Sequence, residues 1–179
     1  MGRMTLSPPS TLQMIPSGTA GTRATLKLMR SLVHEGRKTP LVRQLAVDLT
    51  TGLMQKDRLS EIKVLYNFVR DRIRYVRDIR QVETLHTAEK ILQNKAGDCD
   101  DKSIILSSLL ESLGFKTRLV ALGFSPPVKN MFGNIQSRGY SHVLPHVFID
   151  GDWMPLETTE PVDMGWSPKK VKSAMIIYV

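Results

Sequence analysis

The chain has 179 residues, a formal net charge of +8, a pI near 9.8 and a single cysteine. With 41% apolar and 23% charged residues it has the make-up of a folded domain, and no run approaches the roughly 18–20 apolar residues of a membrane span. One cysteine excludes an intrachain disulfide and a Cys-pair zinc site, so no metal or cofactor is expected.

Residues 1–21, rich in Ser, Thr, Pro and Gly, are expected to form an extended N-terminal arm. They show no apolar h-region, and Leu6 stands where a myristoylation signal needs Ser or Thr. A cytoplasmic protein without a signal peptide is therefore expected. Residues 22–179 are read as one domain, helical over 22–113 and strand-forming over 116–179. Short helices are predicted over 22–35 and 40–54, the second with Thr39 as cap and Pro40 in the first turn. The clearest helix runs over 60–76, where Ile62, Leu65, Tyr66, Val69, Ile73 and Val76 fall at spacings of three and four. A short helix at 87–92 is broken by Asn94-Lys95-Ala96-Gly97. A stronger helix over 98–113 ends at Gly114.

After Gly114 the period changes from helical to alternating. Strands are predicted over 116–124, 141–149 and 153–158, with a 15-residue loop at 125–139. Asp150-Gly151 between two apolar runs signals a two-residue hairpin. Helices first and strands afterwards make an α+β domain.

The sharpest stretch is Ala96-Gly97-Asp98-Cys99-Asp100-Asp101-Lys102-Ser103, which puts the cysteine in the first turn of a helix. Backbone N–H groups and the helix dipole favour a thiolate there and offer donors to an oxyanion, while the three aspartates oppose the thiolate. Gly97 is expected to allow a sharp turn and an open approach to sulfur. Of His34, His86, His142 and His146, the hairpin selects His142. A two-residue turn places Glu157 diagonally across from it on the same face, where the carboxylate can orient the ring. A three-residue loop would put the two on opposite faces. His146 is the competing base, about 13 Å along the same strand.

Gly97-Asp98-Cys99-Asp100-Asp101-Lys102-Ser103, then His142-Val143-Leu144 and Trp153-Met154-Pro155-Leu156-Glu157, resemble the transglutaminase-like superfamily of papain-like cysteine enzymes over residues 60–160. The resemblance implies a papain-like core, with the cysteine helix packed on a small antiparallel sheet behind N-terminal helices. It also implies a catalytic triad of Cys99 as nucleophile, His142 as base and acid, and Glu157 as orienter. Glu157 stands where the family most often has Asp, and His146 where it often has Glu. Bacterial and phage or prophage members of this compact kind suggest a similar origin.

Two functions compete on these grounds. One is acyl transfer from, or hydrolysis of, a protein or peptide amide by the Cys-His-Glu triad. The other is a structural or scaffold protein, such as a phage virion component, that keeps the fold. The charge is +6 over residues 1–60, +3 over 61–95 and −1 over 96–179. The basic half, including Arg70, Arg74 and Arg77, is therefore expected to dock an acidic protein or phage assembly partner. Nucleic acid is not the expected ligand, because exposed aromatics do not interleave with these arginines. The loop at 125–139 is expected to act as a lid anchored by Met131 and Phe132.

Overall fold

The computed structural model describes residues 18–54, 56–77, 84–126, 128–129, 135–136 and 139–179. Helix α1 spans Gly18–Gly36 and α2 spans Pro40–Thr50. Thr39 caps α2, its hydroxyl accepting from the Val42 N–H at 3.4 Å. Residues 18–21, assigned above to the arm, thus form the first turn of α1; the rest of that arm lies outside the described residues.

Helix α3 (Arg58–Arg72) buries the expected stripe of Ile62, Leu65, Tyr66 and Val69. It stops four residues earlier than its periodicity suggests, because Ile73 turns extended and the chain enters strand β1 (Arg74–Tyr75). Helix α4 (Ala88–Asn94) ends on Lys95, which adopts φ 49°. The chain then runs through β2 (Ala96–Gly97), parallel to β1, with Arg74 paired to Ala96 and Tyr75 to Gly97. This two-strand clasp fixes the segment immediately before the cysteine.

Helix α5 (Cys99–Ser112) is the centre of the molecule, buried continuously from Asp101 to Leu110. One flank packs against α1 to α4 and the other against a four-stranded antiparallel sheet of order β7-β6-β3-β8. Its strands are β3 (Thr117–Gly123), β6 (His142–Ile149), β7 (Asp152–Pro155) and β8 (Ser173–Tyr178). Leu119, Ala121, Val143, Val147 and Met175 join the main core, whereas Val120, Leu122 and Leu144 form a separate small cluster with Val171. Strand β8 is not visible as a separate strand in the sequence reading. It forms because β3 offers it a free edge, from Arg118 opposite Tyr178 to Gly123 opposite Ser173.

The hairpin register agrees with the two-residue turn. Ile149 faces Asp152, and Asp150 and Gly151 both take positive φ (52° and 89°), as a type I′ turn requires. Within the segment read as a loop, β4 (Val128–Lys129) and β5 (Ile135–Gln136) pair antiparallel. Met131 and Phe132, the expected lid anchors, lie outside the described residues.

Candidate active site

Asp98 caps α5, its Oδ1 accepting from the N–H groups of Asp100 and Asp101 at 3.0 Å each. Two of the first-turn donors expected to serve an oxyanion are therefore engaged, and the N–H of Cys99 itself lies outside that cap. The half-buried Cys99 thiol donates to Asp100 Oδ1 at 3.5 Å. Burial pushes its pKa well up, with Asp100 and then Asp98 adding to the rise and the Val143 N–H working against it. The sulfur accordingly rests as a thiol at neutral pH, so the balance among effects weighed from the sequence falls on the side of burial and aspartate charge. Asp98, Cys99 and Asp100 bring one ligand atom each to within 4.8 Å of one another, with the two carboxylates already engaged by the helix cap and the thiol.

The reason for Gly97 also differs from the one its sequence position suggests. A Cβ there would overlap the Asp101 side chain, with Asp101 Oδ2 only 2.8 Å away, so the residue is required for close approach rather than for a sharp turn. Asp101 in turn accepts from the backbone N–H of His86 at 3.1 Å, and its Oδ2 lies 2.8 Å from His86 Nδ1. No periodicity in the sequence marks this pair, because His86 stands in an irregular segment ahead of α4.

His142 opens β6, opposite Leu122. Its Nε2 lies 2.5 Å from Glu157 Oε2. The ladder continues one bond past β7, from the Leu156 N–H to the Pro145 carbonyl at 2.9 Å, and the chain then brings Glu157 inward. Glu157 is 1% exposed, and its Oε1 accepts from the Thr159 N–H and hydroxyl at 2.7 and 2.6 Å. Burial pushes its pKa up, but the hydrogen bonds from His142 and Thr159 outweigh this and hold the carboxyl below its ordinary value. With Glu157 ionised, an Nε2–H donated to Oε2 would leave Nδ1 as the unprotonated ring nitrogen. The start of α5 is tied to β6 through Ser103, whose Oγ donates to the Cys99 carbonyl at 2.7 Å and lies 3.3 Å from the carbonyl of Val143, the residue after His142.

His146 is engaged elsewhere. Its Nδ1 lies 3.1 Å from Arg118 Nη2, and burial, reinforced by Arg118, pushes its pKa down to about 4. Arg118 also stacks over Trp153, 4.6 Å from the ring centre, on the sheet face that carries Phe148 and Tyr178.

Three residues beyond the expected triad build its surroundings. Tyr66 Oη reaches the carbonyls of Glu157 and Val162 at 2.7 and 2.6 Å. Arg70 donates from Nη1 to the Val162 carbonyl at 2.8 Å and pairs with Asp71 at 2.7 and 3.0 Å, so it is not a free charge of the basic face. Arg74 and Arg77 remain exposed. Lys102 is 2% exposed and its ammonium donates to the carbonyls of Ile73 and Arg70 at 2.8 and 3.2 Å.

The Transglutaminase-like superfamily model matches residues 43–158, a span that includes Cys99, His142 and Glu157. The chain belongs to the transglutaminase-like superfamily. Among solved structures, a candidate protease from Parabacteroides distasonis ATCC 8503 superposes with a TM-score of 0.60 at 12% identity, covering 84% of this chain and 31% of that one. A candidate cysteine protease from Cytophaga hutchinsonii gives a TM-score of 0.50 at 15% identity, covering 76% of this chain and 45% of that one. At these identities the likeness concerns the fold, and the chain spans less than half the length of either relative. No curated protein sequence matches it. Among the described residues, no helix is long and apolar enough to cross a membrane.

Proposed function

We propose that the protein is a cysteine enzyme that cleaves or transfers the acyl group of a protein or peptide amide, with Cys99 as nucleophile, His142 as base and acid, and Glu157 as orienter. The observation that carries this reading is the 2.5 Å contact of His142 Nε2 with the buried Glu157. It supports this reading because a ring held through Nε2 would have its other nitrogen available for proton transfer. Superfamily membership and the structural likeness to a candidate cysteine protease support it.

The reaction starts from the thiol. Sulfur attacks the carbonyl carbon as His142 Nδ1 takes its proton, forming an S–C bond and an oxyanion. The backbone N–H of Cys99 is the donor proposed for that oxyanion. Collapse breaks the C–N bond, and the imidazolium returns the proton to the leaving amine. The resulting thioester is opened by water or a second amine, whose proton passes through His142 before the thiol is restored.

Alkylation by iodoacetamide across pH, followed by mass spectrometry, tests the reading. Wild-type Cys99 should label faster near neutrality than in His142→Ala. Equal rates in both proteins would overturn the role of His142.

A second reading is a scaffold that keeps the fold, such as a phage virion component; the burial of the thiol favours an unreactive Cys99, as that reading needs. In either reading, an acidic protein would dock on the basic N-terminal half. A groove there of about 410 Å³ is lined by Lys38, Pro40, Arg43, Gln44 and Val47. Normal assembly together with an inert Cys99 would favour the scaffold.

A further inference from the structure

We propose that the uncovered half of the sheet's outer face, centred on Arg118 and Trp153, is a docking surface for an acidic protein segment whose carboxylates are flanked by apolar or aromatic side chains. It is distinct from the basic groove beside α2, and its His146 lies about 13 Å along β6 from His142.

The two faces of the sheet are unlike. Leu119, Ala121, Val143, Val147 and Met175 point into the main core, so alternation turns Arg118, His146, Phe148, Ile176 and Tyr178 to the other side. Trp153 joins them from β7, opposite Phe148. Toward the His142 end this outer face is covered, because Val120, Leu122 and Leu144 are buried in a cluster with Val171. Toward the other end the cover stops, and Phe148, Ile176 and Tyr178 are 37%, 44% and 58% exposed. The rings there form one platform. Trp153 lies 5.2 Å from Phe148 and 5.5 Å from Tyr178 between ring centres, and the Arg118 guanidinium stacks 4.6 Å from the Trp153 centre. All four strands thus contribute to a contiguous exposed patch, the kind of surface that marks an interaction site.

The charge on the patch selects the occupant. Among the described residues Arg118 meets no carboxylate: its Nη2 donates to His146 Nδ1 at 3.1 Å, and its buried Nε–H has no partner. His146 is held neutral and supplies no counter-charge. Asp152, next to Trp153 in the chain, accepts from the Trp153 N–H at 2.7 Å instead. A half-buried guanidinium without a counter-ion is costly, and an incoming carboxylate removes that cost through a charge-assisted hydrogen bond. Nucleic acid would call for a row of cations, whereas this face offers Arg118 with Lys116 at its rim. Trp, Tyr, Phe and Arg are instead the residues that concentrate in protein contacts, and Trp, Tyr and Arg carry much of their affinity. A second copy of the chain fits poorly. A two-fold contact centred here would set one Arg118 against another, and each chain carries +8.

Fluorescence anisotropy of a short fluorescein-labelled peptide alternating phenylalanine with aspartate tests this on the full-length protein. Because the basic groove beside α2 also attracts such a peptide, the measurements are made in an Arg43→Glu background. Arg118→Met, which keeps an apolar stem against Trp153, and Tyr178→Ser, at an exposed position, should each weaken binding by about tenfold or more. Exchanging the peptide's aspartates for lysine, or its phenylalanines for serine, should weaken it comparably. If Arg118→Met does not fold, as judged by circular dichroism, Tyr178→Ser decides. Unchanged affinity in Tyr178→Ser or in folded Arg118→Met, equal binding of the lysine peptide, or no saturable binding would overturn the proposal. So would a dimer in sedimentation velocity that Tyr178→Ser dissolves, since a second copy would then be the occupant.

Discussion

The Tyr66 hydroxyl lies 2.7 Å from the carbonyl oxygen of Glu157, a residue 91 positions further along the chain. That contact pins the backbone of Glu157 while His142 and Thr159 hold its carboxylate. Tyr66 is 1% exposed, so its hydroxyl has no ready replacement from water. Tyr66→Phe should cost about 1–3 kcal/mol, because it leaves a buried carbonyl without its donor. Urea unfolding measures the cost, and amide turnover should fall as Glu157 loosens. Full activity in a destabilised variant would show that the contact serves the fold alone.

The depressed pKa of Glu157 makes stability depend on pH in a defined direction. The folded state binds the proton more weakly than the unfolded chain, so the contribution is present above the unfolded carboxyl pKa. It is lost as pH falls through the lower, folded value. Glu157→Gln should remove that acidic slope from a plot of Tm against pH. It should also lower turnover by up to about 10⁴-fold, since an amide no longer fixes the ring tautomer. An unchanged slope in the variant would mean that another group titrates there.

His146 shows the same outward direction for a different reason. It is held neutral, with its pKa pushed from 6.5 down to about 4. Between those values the unfolded chain binds the proton and the fold does not. Stability is therefore full above about 6.5, falls as pH drops toward 4, and levels off below that. His146→Phe should flatten Tm over this window without slowing amide turnover at neutral pH. A large loss of turnover would return His146 to the site.

Gly97→Ala should be costly although the residue carries no chemistry. A methyl group at that position overlaps the Asp101 side chain, which is 2% exposed and engaged with His86, so one of the two must shift. A loss of about 1–3 kcal/mol is expected from such overpacking. The first turn of α5 should shift with it and slow Cys99 alkylation. Wild-type stability in this variant would show that Asp101 can rearrange.

How much of this was legible in the sequence depended on the distance between partners. The Asp98 cap, the Pro40 start of α2, the buried stripe of α3 and the Asp150-Gly151 turn all rest on residues within four positions of one another. A two-residue turn fixes register, and register fixes faces, so the spacing put His142 and Glu157 on one face on condition of that turn; the two are in contact although the ladder stops short of Glu157. What the chain by itself could not show is what α5 touches. Periodicity carries α3 on to Val76, but the helix ends at Arg72, where Lys102, some 30 residues later, takes its last carbonyls and β2 offers a strand partner. Asp101 reads from the sequence as one of the first-turn aspartates that oppose the thiolate, and no local pattern singles out Lys102. Both are buried because α5 is packed between helices and sheet, and each then finds a partner that local spacing does not encode. The Cys99 thiol follows the same rule: its helix-terminal position is written in the sequence, while the burial that raises its pKa belongs to the folded chain alone.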